Sequence, residues 1–232
     1  SRISKSEISN SKSQMLNILS FELSYRFRRP ATYIFFLIMF ALAFIFATTD
    51  AITIGGASGS VNKNAPYTIN QIIAVLTLIG TLIISAVMGV PVYRDFEHNF
   101  HEIIFTTPVK KINYFFGRFL GSYLVCLFIF SGIILGVMIG VYMPWVDGEK
   151  VGPFNLMYYL HPFITMLVPN VFILGAAFFT LGSLLRSQFA IFVQGVVFFL
   201  GYILLIDTSS DVESNPLFSL FDPYGLISTF IS

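Results

Sequence analysis

Residues 113 to 142 read NYFFGRFLGSYLVCLFIFSGIILGVMIGVY. One base, Arg118, stands in the first third of this run, and no charged residue follows it. A helix needs about 20 apolar residues to cross a bilayer, so this stretch is long enough to span. Working outward, four further runs of the same kind lie at 31 to 49, 70 to 92, 160 to 185 and 188 to 206. None holds a charge in its middle third, where Lys, Arg or Asp would cost about 2.5 to 3.5 kcal/mol on insertion. Runs that are continuously apolar, without alternation, predict helices and not a barrel. The expected fold is an all-α polytopic membrane helix bundle with five spans.

The composition agrees. Of 232 residues 56% are hydrophobic and 11% charged, and the mean hydropathy is +0.80; an ordinary soluble domain carries about 25% charged residues. A free cytosolic globule is excluded, and lipid takes the place of the missing polar skin. A net charge of +1 leaves no electrostatic footprint for nucleic acid. The lone Cys126 sits in an apolar run and has no partner for an internal disulfide.

Residues 1 to 14 (SRISKSEISNSKSQ) are polar and without apolar period, and read as a disordered leader or an expression remnant ahead of Met15. Residues 15 to 29 place Leu16, Leu19, Leu23 and Phe27 on one stripe, opposite Asn17, Ser20, Ser24 and Arg28. This is either an interfacial amphipathic helix on the inner leaflet or a simple topogenic cluster. The transmembrane domain then covers 30 to 206. The first apolar run follows Arg26, Arg28 and Arg29, is too long for a signal-peptide core, and lacks an A-x-A-like cleavage site, so it stays as an anchor.

Orientation follows the bases. With the N-terminus cytoplasmic, eleven of the thirteen fall inside, and only Lys63 and Lys150 fall outside. Residues 207 to 232 (DTSSDVESNPLFSLFDPYGLISTFIS) are broken by Asn215, Pro216, Pro223 and Gly225 yet keep apolar side chains, which predicts external re-entrant or interfacial pieces. An odd number of crossings ending there suggests a chain cut before a sixth span.

The stretch from Arg94 to Arg118 (RDFEHNFHEIIFTTPVKKINYFFGR) is the most informative loop. Phe96, Phe100, Ile103, Ile104 and Thr107 share one helical face, leaving Asp95, Glu97, His98, His101 and Glu102 mostly on the other. The spacing predicts an amphipathic cytoplasmic helix over 94 to 107, stopped at Pro108. It is either a solvated surface helix or a docking element for a cytoplasmic partner. Lys110 and Lys111, with Arg26, Arg28 and Arg29, mark the membrane surface. His98, His101 and Glu102 share a face as metal ligands would, but no third nitrogen or thiolate is near and HNFHE is not the zinc-hydrolase order, so no metal site is expected.

Gly117, Gly121, Gly132, Gly136 and Gly140 repeat G-x-x-x-G three times along the third span and predict a close helix-packing seam. Pro162 and Pro169 interrupt the fourth span. Asn170 and Gln194, the main amides at depth, either bond each other or line a route. The sequence contains no phosphate-binding loop, no nucleophile elbow, and no acid or base deep in a span to relay protons. No catalytic residue is assigned, and any driving energy would come from another chain.

Taken in order, the N-terminal helix, two spans, amphipathic cytoplasmic helix, further spans and broken external segment resemble the permease subunits of ABC-2 type transporters over about residues 15 to 232. The similarity is greatest to Bacteroidota permeases fused to an M1-type aminopeptidase. It is carried by FELSYRFRRPATYIFF (Phe21 to Phe36), NAPYTINQ (Asn64 to Gln71), VYRDFEHNFHEIIFTTPVKKINYFFGRFLG (Val92 to Gly121), MPWVDGEKVGPFNLMYYLHPF (Met143 to Phe163) and LFDPYGL (Leu220 to Leu226). The resemblance implies an ABC-2 type exporter fold in the inner membrane, working as a homo- or heterodimer of permease halves with ATP-binding subunits. It implies that ATP and Mg are bound by the partner, with no cofactor in this chain. It also implies a coupling helix that seats on the ATPase through Arg94, Asp95, Glu97, His98, His101 and Glu102. By the same resemblance, a sixth span and a peptidase portion are expected to follow residue 232, the present stretch being a fragment. A rival expectation is a non-transporting membrane anchor or scaffold for an enzyme or assembly. A channel or ion-coupled carrier is disfavoured by the uncharged spans.

Overall fold

Two prolines set where helices start, since a proline in the first helical position gives up no hydrogen bond and has its φ preset. In the computed structural model Pro30 opens α2 (Pro30–Thr48) and Pro66 opens α3 (Pro66–Glu97). Before them runs α1 (Lys5–Phe27), and after them come α4 (Lys111–Gly140), α5 (Met157–Leu185) and α6 (Gln188–Ser210). The structure describes residues 5–49, 62–97, 111–185 and 187–210, and there is no strand among the described residues. Four helices are long and apolar enough to cross a bilayer: α2, α3 up to Val90, α4 and α5. A shorter apolar stretch, Phe189–Leu204, lies in α6. The chain is an all-helical membrane bundle.

Lipid tails are as apolar as leucine, so helices in a bilayer associate by close packing and by hydrogen bonds between them. Helix α4 does this with two different faces. Its glycine face lies on α2 and α1. A Cβ at Gly132 would stand 2.8 Å from the Phe36 carbonyl oxygen, and one at Gly136 would stand 2.4 Å from that of Phe40. Further along, Gly140 meets the Ala47 methyl in the same way, at 2.9 Å. Towards the other end the seam changes partner: Gly117 faces Ile18 and Gly121 faces Glu22, both on α1. The second face of α4 is aromatic and meets α5. Phe115 and Phe119 pack edge-on to Phe179 at 4.9 and 5.5 Å, and Phe119 and Tyr123 both meet Phe172 at 5.6 Å.

Helix α3 is the buried centre, packed by α5 and α6. Gly175 and Gly182 of α5 lie against Met88 and the Gly89 backbone, and Gly195 of α6 lies against Ser85. Pro162 and Pro169 leave α5 helical, but its ladder widens to a π turn over Phe163–Leu167. There Thr165 Oγ1 donates to His161 O at 2.7 Å and the Tyr123 hydroxyl donates to Val168 O at 3.0 Å.

One end of the bundle is fastened by Asn64. Its amide nitrogen donates to Gly152 O at 2.8 Å and Pro153 O at 3.2 Å, while its Oδ1 accepts from Gly152 N at 2.8 Å. Lys63 N donates to Lys150 O at 2.8 Å beside it. The segment before α3 and the segment after α4 are therefore held together, and Asn64 is buried.

Several boundaries differ from the sequence expectation. Helix α1 begins at Lys5, inside the stretch read as a disordered leader. That stretch has neither Pro nor Gly, so a helix anchored by its packed C-terminal part extends backward without a new nucleus. Helix α3 does not break at the end of its apolar run but continues through Glu97. Helix α6 continues through Ser210, four residues into the predicted external segment, and 211–232 lie outside the described residues.

Candidate functional site

At the opposite end from Asn64, α1, α3 and α4 converge on a buried charged cluster. Glu22, on α1, is 1% exposed, and Arg118, on α4, is 8% exposed. Arg26 follows Glu22 by one helical turn, the spacing at which an acid and a base on one helix meet. Its Nε donates to Glu22 Oε1 at 2.8 Å, and Arg118 Nε lies 3.8 Å from Glu22 Oε2. Arg26 also donates to Val87 O of α3 at 2.9 Å and to Ser122 Oγ of α4 at 3.0 Å. The Ser122 hydroxyl in turn donates to Arg118 O at 2.8 Å. The absence of a side chain at Gly121 admits Glu22, whose Cγ would lie 2.9 Å from a Cβ there.

The Val87 carbonyl is a chemically distinct target. Its helical donor would be the amide four residues on, and that residue is Pro91, which has no N–H. Arg26 thus bonds a carbonyl that α3 leaves without its normal helical partner. Arg26 also ties forward to α2, since Thr32 Oγ1 donates to its carbonyl at 2.9 Å.

The bases expected at the membrane surface stand in different surroundings. Arg28 and Arg29 are exposed, and Arg29 stacks its guanidinium on the Tyr25 ring at 4.4 Å. Lys111 is exposed at the first turn of α4, and Lys110 lies outside the described residues. Arg26, by contrast, is 12% exposed and belongs to the ion cluster. The apolar stripe of α1 packs through Leu23 and Phe27, and Leu19 lies beside Gly121, while Leu16 is 55% exposed and Glu22 takes a place on the packed face. A stripe defined by apolar residues alone misses a face on which an acid is neutralised by a base 96 residues away. The i, i+4 pairing of Glu22 with Arg26, and a lone Arg118 inside an apolar run, were the available signals.

Of the residues expected to contact an ATPase, Arg94, Asp95 and Glu97 lie on the last turns of α3. His98, His101 and Glu102 lie outside the described residues, as does the rest of the predicted helix to 107. The five glycines of the predicted seam lie on α4 where it meets α1 and α2. Of the two amides at depth, Asn170 is buried, and Gln194 Nε2 donates to Ser85 Oγ at 3.3 Å and to Phe178 O at 3.4 Å.

A bundle of apolar helices, with one spanning helix prolonged as a charged helical extension, defines a multi-pass membrane protein. The chain belongs to the ABC-2 family transporter proteins, whose family description matches residues 52–231. No curated protein and no solved structure matches it. The family makes it a permease subunit of an ABC transporter, a class whose membrane component associates with an ATP-binding subunit.

Proposed function

We propose that this permease subunit converts ATP hydrolysis in a separate ATP-binding subunit into substrate movement across the inner membrane, outward from the cytoplasm. One observation carries the reading. The apolar run of α3 gives way to charge at Arg94, yet the helix runs on without a break to Glu97. At about 1.5 Å per residue the segment from Arg94 to Glu97 reaches about 6 Å beyond the apolar run. A helix transmits a push where a flexible loop absorbs it, so a charged extension rigidly joined to a buried spanning helix suits a motor contact.

In this reading the N-terminus is cytoplasmic and residues 94–107 seat on the ATPase through Arg94, Asp95, Glu97, His98, His101 and Glu102. Two permease halves pair around the transport path. The narrower similarity to aminopeptidase-fused permeases of Bacteroidota rests on the sequence stretches quoted above, and it is the reason a scaffold role stands as the rival.

The test is co-purification followed by charge reversal. The full chain should recover an ATPase, and Glu97→Lys with Glu102→Lys should lose it while the permease remains folded in the membrane. An ATPase whose recovery and turnover ignore both reversals would refute the docking assignment and favour the scaffold.

A further inference from the structure

The ion cluster meets α3 at the Val87 carbonyl, one helical turn before Pro91, and α3 is the helix that carries the charged extension. We propose that Arg26 is a positioning residue: its guanidinium stands in for the amide hydrogen missing at Pro91 and so fixes the direction in which residues 91–97 leave the bundle. The functional part of this inference rests on the motor reading above, whereas the mechanical part does not.

The geometry supports it in three ways. A proline inside a helix removes one rung of the ladder and leaves the carbonyl four residues back to find another donor. In membrane helices such carbonyls are satisfied by neighbouring side chains, and here the neighbour is Arg26 at 2.9 Å. Arg26 is itself held at each of its three nitrogens, by Glu22, Val87 O and Ser122. An arginine fork clamped in this way cannot follow α1 without dragging the Val87 carbonyl with it. The clamp spans three helices, so a displacement of α1 reaches α3 just before its charged end. With Arg26 withdrawn, α3 is left with an unfilled rung before the extension and pivots there.

A plain counterion role for Arg26 makes a different prediction, which allows a clean test. Nitroxide labels at Leu16→Cys and Glu97→Cys, in the full chain in lipid nanodiscs, report the distance between α1 and the end of α3. The native Cys126 is buried and stays unlabelled. The labelled parent should give a single narrow distance. Arg26→Lys keeps a positive charge for Glu22 but loses the fork, so the narrow distance should be lost to a broad distribution. Ser122→Ala, a milder change that loosens Arg26, should broaden it less. Pro91→Ala returns an amide hydrogen to the Val87 carbonyl, and so Arg26→Lys with Pro91→Ala should recover the narrow distance. A counterion role has no reason to be rescued by a change at Pro91.

An undisturbed distance in Arg26→Lys, or no recovery with Pro91→Ala, overturns the proposal. The unlabelled variants report on the motor reading separately. Partner ATPase stimulation should be lost in Arg26→Lys and return in the double variant. If distances follow this pattern and ATPase activity does not, the joint stands and the motor reading falls.

Discussion

Gly136 and Gly201 are both helical glycines in apolar surroundings, yet the same substitution should move stability in opposite directions. Alanine at either site gains about 1 kcal/mol in helix propensity over glycine. At Gly201 nothing lies within 4 Å of the new methyl, so Gly201→Ala keeps that gain. At Gly136 the methyl would stand 2.4 Å from the Phe40 carbonyl oxygen, 2.9 Å from Ala43 Cβ and 3.0 Å from the Phe44 amide nitrogen. That is about 1 Å inside ordinary contact, and overpacking of this kind costs about 1 to 3 kcal/mol. The obstacle is backbone, so no rotamer relieves it. Helix α2 has to retreat as a body, loosening the contacts at Gly132 and Gly140 as it goes. The propensity gain is common to both, so the two variants should differ by the overpacking cost, about 1 to 3 kcal/mol, which at about 2 to 4 °C per kcal/mol separates their unfolding midpoints by several degrees. The sole tryptophan is well placed to read this, because Trp145 packs edge-on to Phe44 of α2 at 6.4 Å. Thermal unfolding in micelles, followed by Trp145 fluorescence, should show Gly201→Ala melting above the parent and Gly136→Ala below it. A parallel shift of both variants would refute the claim that α2 and α4 meet backbone to backbone.

Three further outcomes follow from the ties at the two ends of the bundle. Glu22→Ala leaves two buried guanidinium groups without their carboxylate and should cost about 3 to 5 kcal/mol in thermal unfolding, while Ser122→Ala, which removes one hydrogen bond, should cost about 1 kcal/mol. Asn64→Ala should abolish protection of the Gly152 amide in hydrogen exchange; Asn64→Asp should keep that protection, because a carboxylate still accepts from it, yet lower the unfolding midpoint because it cannot donate to Gly152 O and Pro153 O. Membrane-impermeant amine reagents on intact spheroplasts should modify Lys63 and Lys150 and spare Lys111, and the reverse pattern would invert the topology.

The spans were readable because each is an uninterrupted apolar run bounded by polar or proline residues, and such runs in lipid have one backbone solution. The glycine spacing on α4 was equally readable as a close-approach seam. Its partners were not, since a repeat records that something approaches and not what: Gly132, Gly136 and Gly140 receive α2, whereas Gly117 and Gly121 receive α1. The ion cluster was the least legible part. Arg26 looks like one of three membrane-surface bases, and only the fold brings Arg118 and the Pro91 region of α3 beside it. Helical periodicity is local information; charge neutralisation across 96 residues is not. The aromatic face of α4 hid for a related reason, because Phe115, Phe119 and Tyr123 in a lipid-embedded helix read equally well as lipid-facing residues until α5 is laid against them.

The Asn64 clasp has a mechanical corollary. Helices α3 and α4 are joined at one extremity through Asn64 and the Lys63–Lys150 backbone bond, and at the other through Arg26, which reaches both Val87 O and Ser122. A pair riveted at both extremities resists lengthwise slip and swings as a single plate. Its other border, towards α5 and α6, is held without ion pairs among the described residues, by close packing at Met88 and Gly89 and by hydrogen bonds such as Ser85 Oγ to Ile191 O at 2.6 Å.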